Sequence, residues 1–266
     1  MIKRSAKLMG LFLKVSVLNV AAYRFDMLIR VFVSLMHLVA DYFVIKVIFN
    51  NTSSVGGWRF EHMIVLVGVF RIVAGGIRIL IVPNMRKLFD DIMEGTLDFV
   101  LLKPVNSQFL VSIREVVVWR IVDIFLGAAI AAYGCFKLNG YLPVWTIAMF
   151  VLMLAAGFTI VYCFWLMLAT LCFWFVRIQN IEMVFWNVFE AGRFPIQVYP
   201  PWVQWTLTYL IPMAFITTFP AMAGTGDPNR ISPRIVLTAL FMAAAMFALS
   251  SWFWRAGLRR YSGASA

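Results

Sequence analysis

Charged side chains inside apolar stretches are the residues of this sequence best placed to do chemistry. Asp41, Arg71, Glu182 and Glu190 each interrupt a stretch dominated by aliphatic and aromatic residues. Such charges are costly unless they pair or face water, so each marks a structural or functional position. Asp41 and Arg71 fall in consecutive stretches, at depths that differ by about one helical turn or less. They are expected to form an ion pair. The alternatives are contact with a substrate, or separate contacts of Asp41 with outer headgroups and of Arg71 with backbone carbonyls.

Two further pairs of charges are close to one another in the sequence. Arg120 and Asp123 are three residues apart, so they can pair on one helix. Glu182 and Glu190 fall on one side of a helix. In a dimeric protein this side would face the partner and a transport pathway, and the alternative is an ordinary helix end in the membrane interface.

The sequence has no set of residues typical of an enzyme or a metal site. His37 and His62 are far apart and have no accompanying Glu or Cys pattern for zinc. No G-x-x-x-x-G-K-[ST] loop is present, so the chain is not expected to bind ATP itself. The glycines of "AGGIR", which begins at Ala74, lie inside an apolar stretch and indicate close helix packing. We therefore expect no cofactor and no metal in this chain.

The composition indicates that these residues are carried by a membrane protein. Of the 266 residues, 63% are hydrophobic and 13% are charged, and the mean hydropathy is +0.88. A soluble domain is about 45–50% apolar and about 25% charged, so we expect an all-helical membrane protein with one domain over residues 1–266. The net charge of +11 is explained by Lys and Arg in cytoplasmic loops, and nucleic acid is not expected as a partner.

Six apolar stretches are candidates for spanning a bilayer, which takes about 20 residues per helix. They cover residues 25–49, 61–82, 116–136, 144–174, 178–194 and 234–254. The fifth is weak because it carries several charges, and Pro83 is expected to end the second. Residues 1–22 are basic on one side and apolar on the other, which predicts an amphipathic helix in the membrane interface. A signal peptide is the alternative for these residues.

A proline-rich region follows the fifth stretch. Prolines cut residues 195–224 into apolar pieces that are too short to span. The pattern predicts two short helices that dip into the membrane from the outer face, as a re-entrant hairpin. The residues that define this hairpin are Pro195, Pro201, Trp202 and Pro212.

Basic residues predict the orientation of the chain. Lys and Arg are concentrated in the N-terminal stretch, in residues 84–115, in the link after the fourth span and in the C-terminal tail. Fewer Lys and Arg residues lie in the loops on the other side of the membrane, and Arg193 is counted among those. Because cytoplasmic loops carry the excess of Lys and Arg, both termini and residues 84–106 are expected in the cytoplasm.

The segment 84–106 mixes charges with large apolar residues. Apolar residues recur at helical spacing up to Met93, and acidic residues line another side. Gly95 suits the end of that helix, Thr96 can cap a second short helix, and Asn106 can start a third. We therefore expect one or two amphipathic helices close beneath the membrane, which either dock a protein partner or rest in lipid.

Three motifs resemble one known family. An acidic run followed by "EGTLDFVLLKPV", residues 94–105, between the second and third of six spans resembles the coupling segment of ABC type-2 transporter permeases. "FEAGRFPIQVYPPWVQWTLTYLIPMAF", residues 189–215, is similar to the break of that family into two short re-entrant helices. "FWRAGLRRYSGASA", at the C-terminus, resembles the ending of a bacterial subfamily of six-helix permeases. Together the motifs extend over essentially the whole chain.

The resemblance implies a permease subunit of an ATP-driven ABC exporter in the bacterial inner membrane. Two permeases, either two copies or this chain with a homologous sister, would form the pathway. Separate cytoplasmic ATPase subunits would bind ATP and Mg²⁺ and dock on segment 84–106. The residues implied in docking are Asp90, Asp91, Glu94, Gly95, Thr96, Leu97, Asp98 and Phe99. The alternatives are an ATP-independent channel or secondary transporter, which no evident inverted repeat supports, and an intramembrane enzyme.

Overall fold

The computed structural model describes residues 24–140, 143–175, 181–226 and 231–261. These parts of the chain are helical, with loops and one isolated β-bridge between Val55 and Trp58 but no strand. The all-helical prediction is therefore confirmed for the described residues. The expected interfacial helix over residues 1–22 lies outside them, as do part of the link after the fourth span and the end of the tail.

The α-helices vary from single turns to long candidate spans. They are α1 Arg24–Asn51, α2 Phe60–Gly76, α3 Val82–Met93, α4 Asp98–Leu101, α5 Ser107–Ile113, α6 Ile121–Asn139, α7 Val144–Thr170, α8 Ile181–Glu190, α9 Pro201–Trp205, α10 Phe219–Thr225 and α11 Pro233–Leu258. Five continuous stretches are long and apolar enough to cross a bilayer: Leu28–Asn51, Phe60–Met93, Val118–Leu138, Val144–Phe173 and Pro233–Leu258. They agree with five of the six predicted spans.

The predicted fifth span is the exception. Within the described residues, α8 and the 3₁₀ turn that follows it cover only residues 181–193, fewer than the roughly 20 that a span needs. A sixth candidate crossing comes instead from the helices Pro201–Leu210 and Ala214–Thr225, which meet at a bend of 77° and which we call the bent pair. The bend falls at Pro212, as predicted. A broken span and a re-entrant hairpin share this geometry, so the hairpin stays a prediction.

Pro83 does not end the second span, and that prediction is wrong. The helix runs through residues 60–93 and widens into a π-helical turn just before the proline. The carbonyl of Ile79 loses its helical donor because proline has no N–H, and it accepts a hydrogen bond from the N–H of Val117 at 3.0 Å. A wide turn and a donor from another segment thus compensate for the proline. Pro220 also follows a π-helical turn and does not end its helix.

The backbones of α2 and α6 approach each other closely at glycines. A Cβ atom at Gly68 would lie 2.7 Å from the carbonyl oxygen of Gly127, and one at Gly127 would lie 2.8 Å from the amide nitrogen of Ile72. Further along α2, a Cβ atom at Gly75 would lie 2.9 Å from the side chain of Ile124. Small residues permit such approach between membrane helices, and the close packing predicted for the "AGGIR" stretch is confirmed.

Gly127→Val is expected to lower the free energy of unfolding by about 1–3 kcal/mol. The added side chain would meet backbone atoms of α2, which cannot rotate away, so the two helices would have to separate. Equilibrium unfolding in mixed micelles measures the effect. Ala128→Val is the matched control, because Ala128 is the exposed neighbour on the same helix. Equal stability of the two variants would contradict the close approach.

Candidate functional site

The segment 84–106 lies at one end of the helix bundle. α2 and α3 form one helix of 34 residues, which is about 51 Å long and exceeds the hydrocarbon core by about 20 Å. Gly95 has a φ of +70° and follows the end of α3. Asn106 caps α5, because its Oδ1 accepts a hydrogen bond from the N–H of Phe109 at 3.1 Å. The expected helix end and the expected helix start are therefore both present.

Asp91 is buried at the centre of this segment, with 3% of its surface exposed. Its carboxylate accepts hydrogen bonds from Arg114 Nη1 at 2.5 Å and from Thr96 Oγ1 at 3.1 Å, and Lys87 Nζ lies 3.5 Å away. Its carbonyl oxygen accepts bonds from the N–H groups of Thr96 and Leu97. Thr96 therefore does not cap α4 as predicted. Its hydroxyl binds Asp91, and Leu97 occupies the N-cap without a side-chain bond.

Asn84 attaches the start of the segment to the chain that leads into α6. Its buried amide donates from Nδ2 to the carbonyl oxygens of Leu80 at 2.6 Å and Glu115 at 2.7 Å, and its Oδ1 accepts from the N–H of Glu115 at 2.9 Å. Sequence reasoning treated Asn84 only as a boundary. The residue has no periodic signal, because its partners are backbone groups in another part of the chain.

The C-terminal helix supports the same segment. Trp254 on α11 is buried and donates a hydrogen bond from Nε1 to Ser107 Oγ at 3.2 Å. The ring of Phe173 packs against both Trp254 and Tyr261. Burial and then the nearby negative charge of Asp98 raise the pKa of the Tyr261 phenol. A displacement of the segment would therefore be transmitted to α11 as well as to α2.

The exposed residues of the segment differ from the buried ones in character. We call five of them the docking residues, after the role that the resemblance implies for this segment: Asp90, Met93, Glu94, Phe99 and Leu102. Met93, Phe99 and Leu102 are 58%, 70% and 81% exposed. Three of the eight residues implied in docking, Asp90, Glu94 and Phe99, are in this set. Asp91 and Leu97 are buried, and Gly95, Thr96 and Asp98 are partly exposed.

Asp41 and Arg71 form the ion pair that their depths suggested. Arg71 Nε lies 2.8 Å from Asp41 Oδ2, and the two side chains are 12% and 11% exposed. Arg193 Nη1 lies 3.7 Å from Asp41 Oδ1, and Arg193 Nε lies 3.1 Å from Glu190 Oε2. Arg193 was counted in an outer loop, and it lies in the 3₁₀ turn after α8, from which its side chain reaches Asp41 on α1. The early end of α8 at Glu190 is what leaves Arg193 there.

These charges line a cavity of about 310 Å³ between α1, α2, α6 and the end of α8. The ionisable residues around it are His37, Asp41, Arg71, Arg78, Asp123, Glu190 and Arg193. Three arginines balance three carboxylates, so the cavity is polar without a large net charge. The expected contact of Arg120 with Asp123 is also present, at 3.3 Å.

Glu182 lies apart from the other predicted membrane charges. Its two carboxylate oxygens accept hydrogen bonds from Nε and Nη2 of Arg86, each at 2.7 Å. Arg86 is on α3 within the segment 84–106. Glu182 is near the start of α8, whereas Glu190 is at its other end. The structure thus brings Asp41, Arg71 and Glu190 to one cavity and gives Glu182 a different set of neighbours.

The predicted hairpin residues lie along the bent pair and the turn before it. Pro195 precedes a 3₁₀ turn at Ile196–Val198, and Pro201 begins α9. Trp202 is exposed, and Pro212 lies at the bend. The side chain of Gln197 accepts a hydrogen bond from Trp58 Nε1 at 3.2 Å, so the start of this region lies against the loop between α1 and α2. That loop is at the end of α2 opposite the segment 84–106.

The described residues contain no group of three or more His, Cys, Asp or Glu arranged to hold a metal ion. A scan against protein-family models matches residues 35–265 to the model of the ABC-2 family transporter protein. A search of curated proteins found no match. The family match extends over most of the chain and includes the segment 84–106 and the bent pair. This multi-pass helical membrane protein therefore belongs to the ABC-2 family of transporter proteins.

Proposed function

We propose that this chain is the permease subunit of an ATP-driven exporter. Membership of the ABC-2 family supports a transport role and, in general terms, association with ABC ATPases. ATP and Mg²⁺ bind to the separate ATPase subunits, and this chain forms the membrane pathway with a second copy or a homologous permease. Both termini and the segment 84–106 face the cytoplasm of a bacterial inner membrane.

The observation that carries the proposal is the surface formed by the docking residues. Three large apolar side chains are mostly exposed on a segment that projects beyond the hydrocarbon core. A helix resting in lipid would account for Met93, Phe99 and Leu102. It would place Asp90 and Glu94 against a leaflet that is itself negative, which is unfavourable. A groove of an ATPase that is apolar and partly basic accommodates both kinds of side chain.

The polar cavity supports a pathway along the same face. Charges in a membrane span are stable when they face water or protein rather than lipid. The charged groups of α1, α2 and α8 converge on one cavity, so that face is suited to a second permease and a hydrated route between the two chains. Movement of α3 by the ATPase would reach this cavity directly, because α2 and α3 are one continuous helix.

Asp90→Lys/Glu94→Lys is expected to reduce the ATPase that co-purifies with the permease at least tenfold. Like charges opposed across an interface cost several kcal/mol, and about 1.4 kcal/mol corresponds to a factor of ten. The measurement is the ratio of ATPase to permease after purification in mild detergent. Both residues are exposed, so insertion and folding should be unchanged.

Glu115→Lys is the matched control, because Glu115 is an exposed acid at the same end of the bundle and outside the docking residues. It should retain the ATPase. If the double variant kept full ATPase binding and transport-coupled hydrolysis, the segment would be a helix that rests in lipid. Absence of any ATPase with the wild-type chain would reject the proposed division of labour itself.

A further inference from the structure

We propose that a second cavity, distinct from the docking residues, binds a net-anionic phosphate group at the inner boundary of the membrane. The cavity has a volume of about 330 Å³. The residues that form its polar and aromatic lining are Arg78, Arg86, Arg120, Glu182, Trp119 and Trp186. They come from the helix α2–α3, from the turn before α6 and from α8, so tertiary structure is needed to bring them together.

The charge of this cavity is incompletely balanced. Arg86 is held by Glu182 through two hydrogen bonds of 2.7 Å. Arg120 makes one longer contact, of 3.3 Å, with Asp123. Arg78 is exposed to the cavity, and no carboxylate of the described residues lies within ion-pair distance of it. Arg78 also lines the first cavity, where Asp123 and Glu190 contribute negative charge. The lining of the second cavity itself holds three guanidinium groups and one carboxylate, that of Glu182, so its net charge is positive.

The two tryptophans hold the arginines in place without neutralising them. The Cζ atom of Arg78 lies 4.7 Å from the ring centre of Trp186, and that of Arg120 lies 4.0 Å from the ring centre of Trp119. A guanidinium stacked on an aromatic face keeps its N–H groups available in its own plane. Such N–H groups bind phosphate oxygens in pairs.

The depth of the cavity matches a lipid headgroup. Counted from Phe60 at the start of α2, Arg78 is about 27 Å along the helix and Arg86 is about 39 Å along it. The hydrocarbon core is about 30 Å thick, so the two arginines bracket its inner boundary. Tryptophans are also typical of that level. This placement rests on the orientation given under Proposed function, with the segment 84–106 in the cytoplasm.

Exposed apolar residues on α6 lead from the cavity towards the hydrocarbon core of the membrane. Ile121 follows Arg120 directly and is 45% exposed, and Phe125, one turn further along α6, is 67% exposed. An amphiphile with its phosphate between Arg78 and Arg120 can therefore lay an acyl chain along α6. Soluble phosphate would use the same donors without that apolar contact, so the two sources can be distinguished.

The test compares lipid retention by the full-length chain in native mass spectrometry. Delipidated protein is titrated with phosphatidylglycerol or with phosphatidylcholine of the same acyl chains. Wild type should bind phosphatidylglycerol about tenfold more tightly, and Arg78→Gln or Arg120→Gln should remove most of that preference. Arg259→Gln removes a charge from the exposed tail at the same end and should leave the preference unchanged. Arg78→Lys keeps the charge without the planar fork and should bind with intermediate affinity.

Inorganic phosphate distinguishes the two sources. If millimolar phosphate raises the Tm of wild type but not of Arg78→Gln, and no lipid preference is seen, the site takes soluble phosphate. If phosphatidylglycerol is retained in millimolar phosphate, the site takes a lipid. Equal binding by wild type, Arg78→Gln and Arg120→Gln for lipid and phosphate alike would overturn the proposal. The assay contains no ATPase, so its failure is separate from failure of the docking experiment.

Discussion

Asp41→Leu is expected to lower the free energy of unfolding by about 3–5 kcal/mol, the range typical of breaking a buried ion pair from one side. The guanidinium of Arg71 would lose a carboxylate at 2.8 Å while staying largely buried. Arg193 would retain its contact with Glu190 at 3.1 Å, so the penalty falls mainly on Arg71. Equilibrium unfolding in mixed micelles measures the change.

The double variant Asp41→Leu/Arg71→Met removes both charges but leaves an apolar side chain at each position to fill the space, so it distinguishes the effect of charge from the effect of packing. Removing both partners leaves no unpaired charge, so most of the lost stability should return. Lys46→Met is the matched control on the same helix, because Lys46 is exposed, and it should change stability by less than about 0.5 kcal/mol. If Asp41→Leu were as stable as Lys46→Met, the pair would have no structural role. Its charges would then have to be explained by contact with the transported substrate.

The spans were predictable because a membrane imposes a simple constraint. Every backbone polar group in the hydrocarbon core needs a hydrogen-bond partner, and a helix supplies most of these partners internally, so long apolar runs become helices of nearly the expected length. The error at Pro83 has an equally physical origin. A proline rule considers only neighbouring residues, whereas the carbonyl of Ile79 receives its hydrogen bond from Val117, far along the chain. No local pattern reveals that donor.

The fifth span failed for a related reason. Its charges were read as a weakness of a spanning helix, whereas α8 is short within the described residues and Arg193 turns back towards Asp41. The depth of Asp41 and Arg71 could be estimated from the sequence, since both lie in regular helices joined by one loop. The position of Arg193 depends on where α8 ends, and apolar composition does not determine that.

Within the segment 84–106 the composition predicted short amphipathic helices, but it did not predict which of the acidic residues are exposed. Asp90 and Asp91 are adjacent in the sequence and look equivalent, yet one is exposed and the other is 3% exposed. Successive residues on a helix point about 100° apart, so the two side chains meet different surroundings. Arg114 and Thr96 determine which one is buried, and both come from outside α3. Burial thus separates two acids that the sequence could not tell apart, and the role of the segment in docking stays a prediction.

Asp91→Ala is expected to lower the free energy of unfolding by about 3–5 kcal/mol and to reduce ATPase docking, although Asp91 is not itself exposed. Nε and Nη2 of Arg114 are buried and have no hydrogen-bond partner among the described residues. Loss of the Asp91 carboxylate would remove the Arg114 Nη1 bond as well, and the hydroxyl of Thr96 would lose its acceptor. The corner between α3 and α4 would then loosen. The docking residues before the corner and those after it would no longer be held in a fixed position relative to each other.

Two neighbouring substitutions distinguish this supporting role from direct contact with the ATPase. Asp91→Asn keeps an oxygen that can accept from Thr96 and Arg114 but removes the charge, so it should be intermediate in stability. Asp90→Ala should weaken docking while changing stability by less than about 0.5 kcal/mol, because its side chain is exposed. On the proposed function the ATPase binds only the ordered corner, so added ATPase should also raise the Tm of Asp91→Ala by mass action. Unchanged stability of Asp91→Ala would show that the buried carboxylate does not hold the segment, and any loss of docking would then have to come from contact at Asp91 itself.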